Sequence, residues 1–234
     1  MAKDFDKLRG MIEKVARALG DELLAEVAFV GGCTTGLLIS DRVTLDGVRA
    51  TDDVDLIVNV VGYSGWSDFQ NRLLKKGFST SMEDEIICRL RLGDLKVDFM
   101  PDDEKILGFS NRWYQQALAN TQNYQLTDDL IIRLLSPPYF IATKLEAYKG
   151  RGENDLLASR DIEDILNIVD GRPELINDLK ATDPQVRNYI AEEIAALLKD
   201  EMIDYAVQGM VVGGAARQQV VFNRLEAIEA LSGT

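Results

Sequence analysis

Thr51-Asp52-Asp53-Val54-Asp55-Leu56-Ile57-Val58 joins paired carboxylates to an apolar, β-branched run. Such a run favours a strand, and in a strand alternate side chains share a face. Asp53, Asp55, Ile57 and Asn59 then point one way, and Val54, Leu56, Val58 and Val60 the other. The second set is wholly apolar and is expected to face a core. Two carboxylates are left side by side where the strand begins. Adjacent like charges cost free energy unless something compensates them. A divalent cation with oxygen ligands does so, and Mg²⁺ (or Mn²⁺) combines one or two carboxylates with waters and substrate phosphate oxygens. A third carboxylate fits the same scheme. In Leu95–Met100, Lys96, Asp98 and Met100 share one face and Leu95, Val97 and Phe99 the other. Asp98 joins Asp53 and Asp55 if the two strands are neighbours. Three carboxylates can hold two metal ions, one activating an attacking hydroxyl and one bound to phosphates.

A glycine turn supplies the complementary chemistry. The apolar run Val27–Val30 ends in Gly31-Gly32 and leads into a short helix expected over Thr34–Ile39. A strand, a glycine pair and a helix start let backbone N–H groups approach a phosphate. Thr34 and Thr35 could add hydroxyl donors. Cys33 reads as a small buried residue rather than a nucleophile. Spacing alone does not single out Asp53-x-Asp55, because Glu83-Asp84-Glu85 and Asp102-Asp103-Glu104 repeat it and read as solvated turns. Its position does, opening an apolar strand after the strand–Gly-Gly–helix unit.

The elements that must position these groups follow from periodicity. Leu8, Ile12, Val15 and Leu19 recur at helical spacing over residues 5–19, with Gly20 as a stop. Residues 40–51 are polar and turn-rich and are expected to form a loop. A helix is expected over Ser64–Lys76, and strands over Glu85–Leu92 and Leu95–Met100 form a hairpin about Gly93-Asp94. A helix follows over Asn111–Ala119, then one or two strands within Tyr124–Leu135. Pro137-Pro138 marks a boundary, and the remainder reads as helices. The expected fold is α/β (α+β): a mixed sheet with flanking helices in residues 1–136, then a C-terminal helical bundle in residues 137–234 that completes the active site.

Composition narrows the chemistry. The chain has 234 residues, 46% of them hydrophobic and 28% charged, a globular balance. It contains no histidine, which excludes Ser-His-Asp and Cys-His catalysis and His-ligated zinc. Cys33 and Cys88 form no CxxC motif or disulfide framework. With 26 Lys+Arg against 39 Asp+Glu the net charge is −13. A large sequence-independent grip on nucleic acid is disfavoured, because that affinity scales with the phosphates neutralised by basic residues. The apolar runs are too short for a membrane span, and the N-terminus is charged from residue 3. A soluble, cytoplasmic protein is expected.

The order of hydrophobic residue, Gly31-Gly32, loop, Asp53-x-Asp55 and a later strand Asp98 resembles the polymerase-β-type nucleotidyltransferase superfamily. The stretch Ile141-Ala142-Thr143-Lys144-Leu145-Glu146-Ala147, then Arg151, then Ser159-Arg160-Asp161-Ile162-Glu163-Asp164-Ile165 is similar to the pattern of the AbiEii/AbiGii abortive-infection nucleotidyltransferases. The resemblance covers roughly residues 29–165. It implies an NTP donor with Mg²⁺, transfer of a nucleoside monophosphate and release of pyrophosphate. It implies Asp53 and Asp55 as metal ligands, with Asp98 assisting them or activating the acceptor hydroxyl. It further implies that Gly31, Gly32 and Thr34 bind phosphate, that Lys144 contacts the triphosphate, and that Asp161 and Asp164 line the site. Two departures stand out: Cys33 occupies a position where many relatives have Ser, and the loop Cys33–Asp52, with Arg42 and Arg49, is long.

The leading expectation is a Mg²⁺-dependent nucleotidyltransferase, a candidate toxin of a toxin–antitoxin or phage-defence pair with an antitoxin protein as partner. The acceptor is left open among tRNA, a protein hydroxyl and a small molecule. A nucleotide-sensing or partner-binding module on the same fold is the alternative. A structural protein built on the C-terminal helices is a third, but apolar positions such as Ile190, Ile194, Leu197 and Leu198 more often serve a core.

Overall fold

In the computed structural model, which describes residues 3–82, 84, 87–108, 110–151 and 155–233, the expected N-terminal period forms α1 (Lys3–Leu24). Its stripe of Leu8, Ile12, Val15 and Leu19 is fully buried. Gly20 does interrupt it, with φ +66° and ψ 171°, and a further turn follows. The chain divides into two compact units. One comprises Asp6–Thr34 and Ala50–Ser136; the other comprises Thr35–Arg49, Pro137 onward and the described residues up to Phe5.

The first unit is built on a six-stranded mixed sheet: β1 (Val27–Val30), β2 (Asp53–Val58), β3 (Arg89–Leu92), β4 (Leu95–Pro101), β5 (Thr121–Thr127) and β6 (Leu130–Leu135). Their spatial order is β3-β4-β2-β1-β6-β5. The β2–β4 and β1–β6 pairs are parallel and the others antiparallel. The β3–β4 hairpin turns at Gly93 (φ +63°) as the Gly-Asp signal predicts. The expected start of its first strand at Glu85 and Ile86, and Glu83 of the acidic triplet, lie outside the described residues.

Register explains the core. Leu56 of β2 stands beside Phe99 of β4. Phe99 takes Phe69 and Phe78 edge-on, at 5.7 and 5.5 Å between ring centroids. Phe69 comes from α3 (Gly62–Lys75), so the apolar faces of β2 and β4 lie under that helix. Ile57, on the carboxylate face, is also fully buried; only the beginning of β2 is open on that side. The triplet at Asp102 differs from the expected turn: Asp103 caps α4 (Glu104–Leu107), which buries Ile106. The expected helix near residue 111 is shorter, α5 (Tyr114–Ala119).

The second unit is helical. It contains α2 (Arg42–Gly47), α6 (Pro137–Gly150), α7 (Arg160–Gly171), α8 (Leu175–Ala181), α9 (Pro184–Leu198), α10 (Ile203–Met210) and α11 (Ala215–Glu229). Helix α6 packs on α7, α8 and α9, and α11 packs on α7, α8, α9 and α10. Helix α2 corrects the expectation of a loop over residues 40–51. Asp41 caps it, accepting from the Val43 and Thr44 amides at 3.0 Å each. The buried Thr44 hydroxyl donates to Asp170 on α7 at 2.6 Å. A six-residue helix held by a cap and by tertiary polar bonds carries too little apolar periodicity to be read from sequence. Among the described residues no helix is long and apolar enough to cross a membrane.

Candidate functional site

The parallel pairing of β2 with β4 places Asp55 directly beside Asp98 and Asp53 beside Lys96. Registered neighbours point to the same side of a sheet, so all three carboxylates share a face. Asp53, Asp55 and Asp98 each present a carboxylate oxygen, and these atoms lie within 4.8 Å of one another. Asp98 is buried and the other two are half-buried. The donor set is three hard oxygen ligands on a rigid two-strand platform, which suits Mg²⁺ or Mn²⁺ and not a thiophilic metal.

Gly31 completes this corner. It follows β1, whose Val30 stands beside Asp55, and has φ +78°. A β-carbon there would fall 1.9 Å from Asp55 Oδ2. Gly31 is therefore required both by the backbone conformation and by the carboxylate that fills its empty side. Gly32 opens the short 3-10 helix Gly32–Leu38. Thr34 is fully buried, and its hydroxyl donates back to Gly31 O at 2.9 Å. The proton offered to a phosphate in the sequence reading is thus used to close the turn. Cys33 is buried, with Sγ 3.4 Å from Val30 O.

One cation of this site was not legible as such from motifs. Arg89 of β3 donates from Nε to Asp98 Oδ1 and from Nη2 to Asp98 Oδ2, both at 2.7 Å. Its Nη2 also lies 3.5 Å from Asp53 Oδ2. The signal existed in the hairpin: a two-residue Gly93-Asp94 turn pairs Leu92 with Leu95 and, counting back, Arg89 with Asp98. Even with Arg89 nearby, burial, Asp98 and Asp52 together push the Asp53 carboxyl above its usual range. Burial, with Asp98 adding to it, pushes the neighbouring Cys88 thiol up to about 12, which leaves it protonated and inert.

The second unit gathers the other motif residues. Lys144 Nζ lies 2.7 Å from Asp164 Oδ2 and donates to Asp161 Oδ1 at 3.0 Å. All three side chains are buried. Arg49 Nη2 reaches Asp164 Oδ2 at 3.1 Å, and its Nε lies 3.4 Å from Glu163 Oε2. The Thr35 hydroxyl donates to Asp164 Oδ1 at 3.2 Å. Burial alone drives the Lys144 ammonium down, but Asp164 and Asp161 outweigh it and hold the pKa above the ordinary lysine value. Lys144 is thus engaged by two carboxylates rather than solvated. Arg151 and Arg160, both exposed, line a cavity of about 200 Å³ with Tyr148, Ser159 and Asp161. Arg151 Nε approaches Asp161 Oδ2 at 3.3 Å. Arg49, noted in the sequence only as part of a long loop, is a member of this network.

Neither a family model nor a curated protein matches the chain.

Proposed function

We propose that this protein is a Mg²⁺-dependent nucleotidyltransferase that moves a nucleoside monophosphate from an NTP to an acceptor hydroxyl. The observation that carries the reading is the convergence of Asp53, Asp55 and Asp98 within 4.8 Å, on parallel strands beside a glycine turn that leaves room for Asp55. The corresponding fold reading is a nucleotidyltransferase-type sheet, supported by the strand–Gly-Gly–3-10 sequence and the β2–β4 register.

In the reaction the acceptor oxygen attacks the α-phosphorus, the bond to the bridging α–β oxygen breaks and pyrophosphate leaves. Asp53 and Asp55 would hold the divalent ion, with Asp98 as the third ligand or the acceptor of the hydroxyl proton. When bound, that ion would draw charge from the phosphates and acidify the hydroxyl. Three carboxylates facing a triphosphate repel it by several kcal/mol per close pair at an effective dielectric near 20, so cationic groups are needed. Within the helical unit, Lys144 becomes available to a phosphate only if it exchanges Asp161 or Asp164 for it. Gly31 and Gly32 offer backbone N–H groups. The acceptor class stays among tRNA, protein and small molecule. The toxin role, an antitoxin partner and a cytoplasmic setting, which the buried thiols Cys33 and Cys88 suit, belong to the same proposal.

A nucleotide-sensing or partner-binding module is the second reading. The observation favouring it is that Asp98 and Lys144 already hold charged partners. Incubating the protein with each labelled NTP and Mg²⁺ against total tRNA and cell lysate separates the two. Label transferred to RNA or protein, and lost in Asp53→Ala/Asp55→Ala, supports the transferase. Mg²⁺-dependent nucleotide binding with no transfer supports the sensor. Neither transfer nor binding removes the transferase and the nucleotide sensor and leaves the partner-binding module.

A further inference from the structure

Arg89 is placed where a metal ion's charge would act. Its fork takes both oxygens of Asp98 at 2.7 Å and reaches Asp53 at 3.5 Å. It therefore engages two of the three carboxylates at once. A bidentate guanidinium–carboxylate pair is among the stronger charge-assisted contacts, and this one is not a surface contact: the Arg89 side chain is 14% exposed and that of Asp98 11%. The β3–β4 register sets Arg89 beside Asp98, so the guanidinium is delivered by the backbone rather than by a chance rotamer. Asp53 and Asp98 have no other cation as close, among the described residues, in the ion pairs of this corner; Lys96 turns instead to Asp52 at 2.8 Å.

We propose that Arg89 is a built-in competitor for the divalent cation, a residue that occupies Asp98 and Asp53 and so weakens metal binding at the triad. The inference rests on the metal-site reading above and adds to it how that site is tuned. An ion drawing on Asp98 must share or take over oxygens that the guanidinium holds, and it must approach a fixed positive charge a few ångströms away. Both effects lower affinity. The consequence is a site that binds the ion weakly by itself and more tightly when a ligand brings further oxygen donors, such as the phosphates of a nucleotide. Without those donors Asp98 and Asp53 stay paired with Arg89. A purely structural arginine predicts the reverse, because removing it would let Asp98 and Asp53 repel each other and spoil the ligand geometry.

The test is a Mn²⁺ titration of the full-length protein, followed by electron paramagnetic resonance of free Mn²⁺, with Asp55→Asn locating binding at the triad. Arg89→Met, and Arg89→Gln should the first fail to fold, are expected to bind Mn²⁺ about ten- to a hundredfold more tightly than the native chain, the scale of one removed positive charge at short range. Arg89→Lys keeps the charge and is expected to stay close to native affinity. Thermal melting run alongside reports any loss of fold. Native binding at the triad with variants that bind equally or more weakly overturns the proposal and leaves the metal site standing. Absence of Mn²⁺ binding in the native chain and in every variant overturns the metal-site reading and the proposal with it.

Discussion

Asp55 Oδ2 stands 1.9 Å from the point a β-carbon on Gly31 would occupy, and Gly31 holds φ +78°. The glycine and the carboxylate fill one volume between them. Gly31→Ala must therefore strain the backbone, at about 1–2 kcal/mol for a left-handed non-glycine residue, and also displace Asp55. The expected result is a lower melting temperature together with loss of Mn²⁺ binding. Gly10, where an added β-carbon meets nothing within 4 Å, is the control: Gly10→Ala should be neutral or stabilising. Calorimetry and Mn²⁺ titration on the two variants check this.

Asp53 shows the cost of assembling the triad. Its pKa is raised by burial first, then by Asp98 and Asp52. A carboxyl raised on folding binds its proton more tightly in the native state. Its contribution is most favourable at acid pH and is lost as pH rises from the unfolded value near 3.8 through the folded one. Asp53→Asn stays neutral throughout. It should be more stable than the native chain at pH 7 by about 1 kcal/mol, the order of one close like-charge contact in water. The gain should vanish below pH 4, and metal binding should be lost. Urea denaturation across pH 3–7 measures the first effect.

Lys144 behaves oppositely. Removing it leaves Asp161 and Asp164 buried without their shared ammonium, although Arg49 still reaches Asp164. Lys144→Met should cost about 3–5 kcal/mol at pH 7. Lys144→Met/Asp164→Leu should cost less than the two single changes added together, since the pair shares one interaction. Because the Lys144 pKa is raised, its contribution is complete below the ordinary value of 10.5 and declines only as pH climbs past the folded value. Denaturation of the single and double variants at pH 7 and pH 10 should therefore give the same differences.

Helix α2 depends on Asp41 and Arg217. The Asp41 pKa is lowered to about 2 by the Thr44 amide and then Arg217. Arg217 also donates to the buried Asp170, from Nε at 2.7 Å. Asp41→Ala should cost about 1 kcal/mol, as loss of a helix cap does. A lowered acid stabilises above its unfolded pKa, so that cost should be present from pH 5 upward and disappear as pH falls from 3.8 through about 2. Arg217→Met should cost more, about 3 kcal/mol, because it strands a buried carboxylate. Thermal melts at pH 2, 4 and 7 distinguish the two.

Much of the local order was legible in the chain. Alternation in Asp53–Val58 assigns two carboxylates to one face and Val54, Leu56 and Val58 to the other, because side chains in a strand repeat every second residue. The Gly93-Asp94 turn determines the β3–β4 register and, through it, the Arg89–Asp98 pair, although the motif reading attended only to the carboxylate. Helix α2 was hidden because its stability comes from Asp41 and from Thr44 bonding across to Asp170, neither of which leaves a periodic trace.

The tertiary structure decided what no spacing could. Asp55 and Asp98 become neighbours only because β2 and β4 pair in parallel, a contact between distant segments driven by the apolar faces that Leu56 and Phe99 share. The company of Lys144 was decided the same way. A lysine on a helix reads as an available cation, but packing of α6 on α7 encloses it with Asp161 and Asp164, where an ion pair offsets a desolvation that sequence does not report. Side-chain type and local period set which groups can do chemistry; burial and long-range pairing set which charges meet.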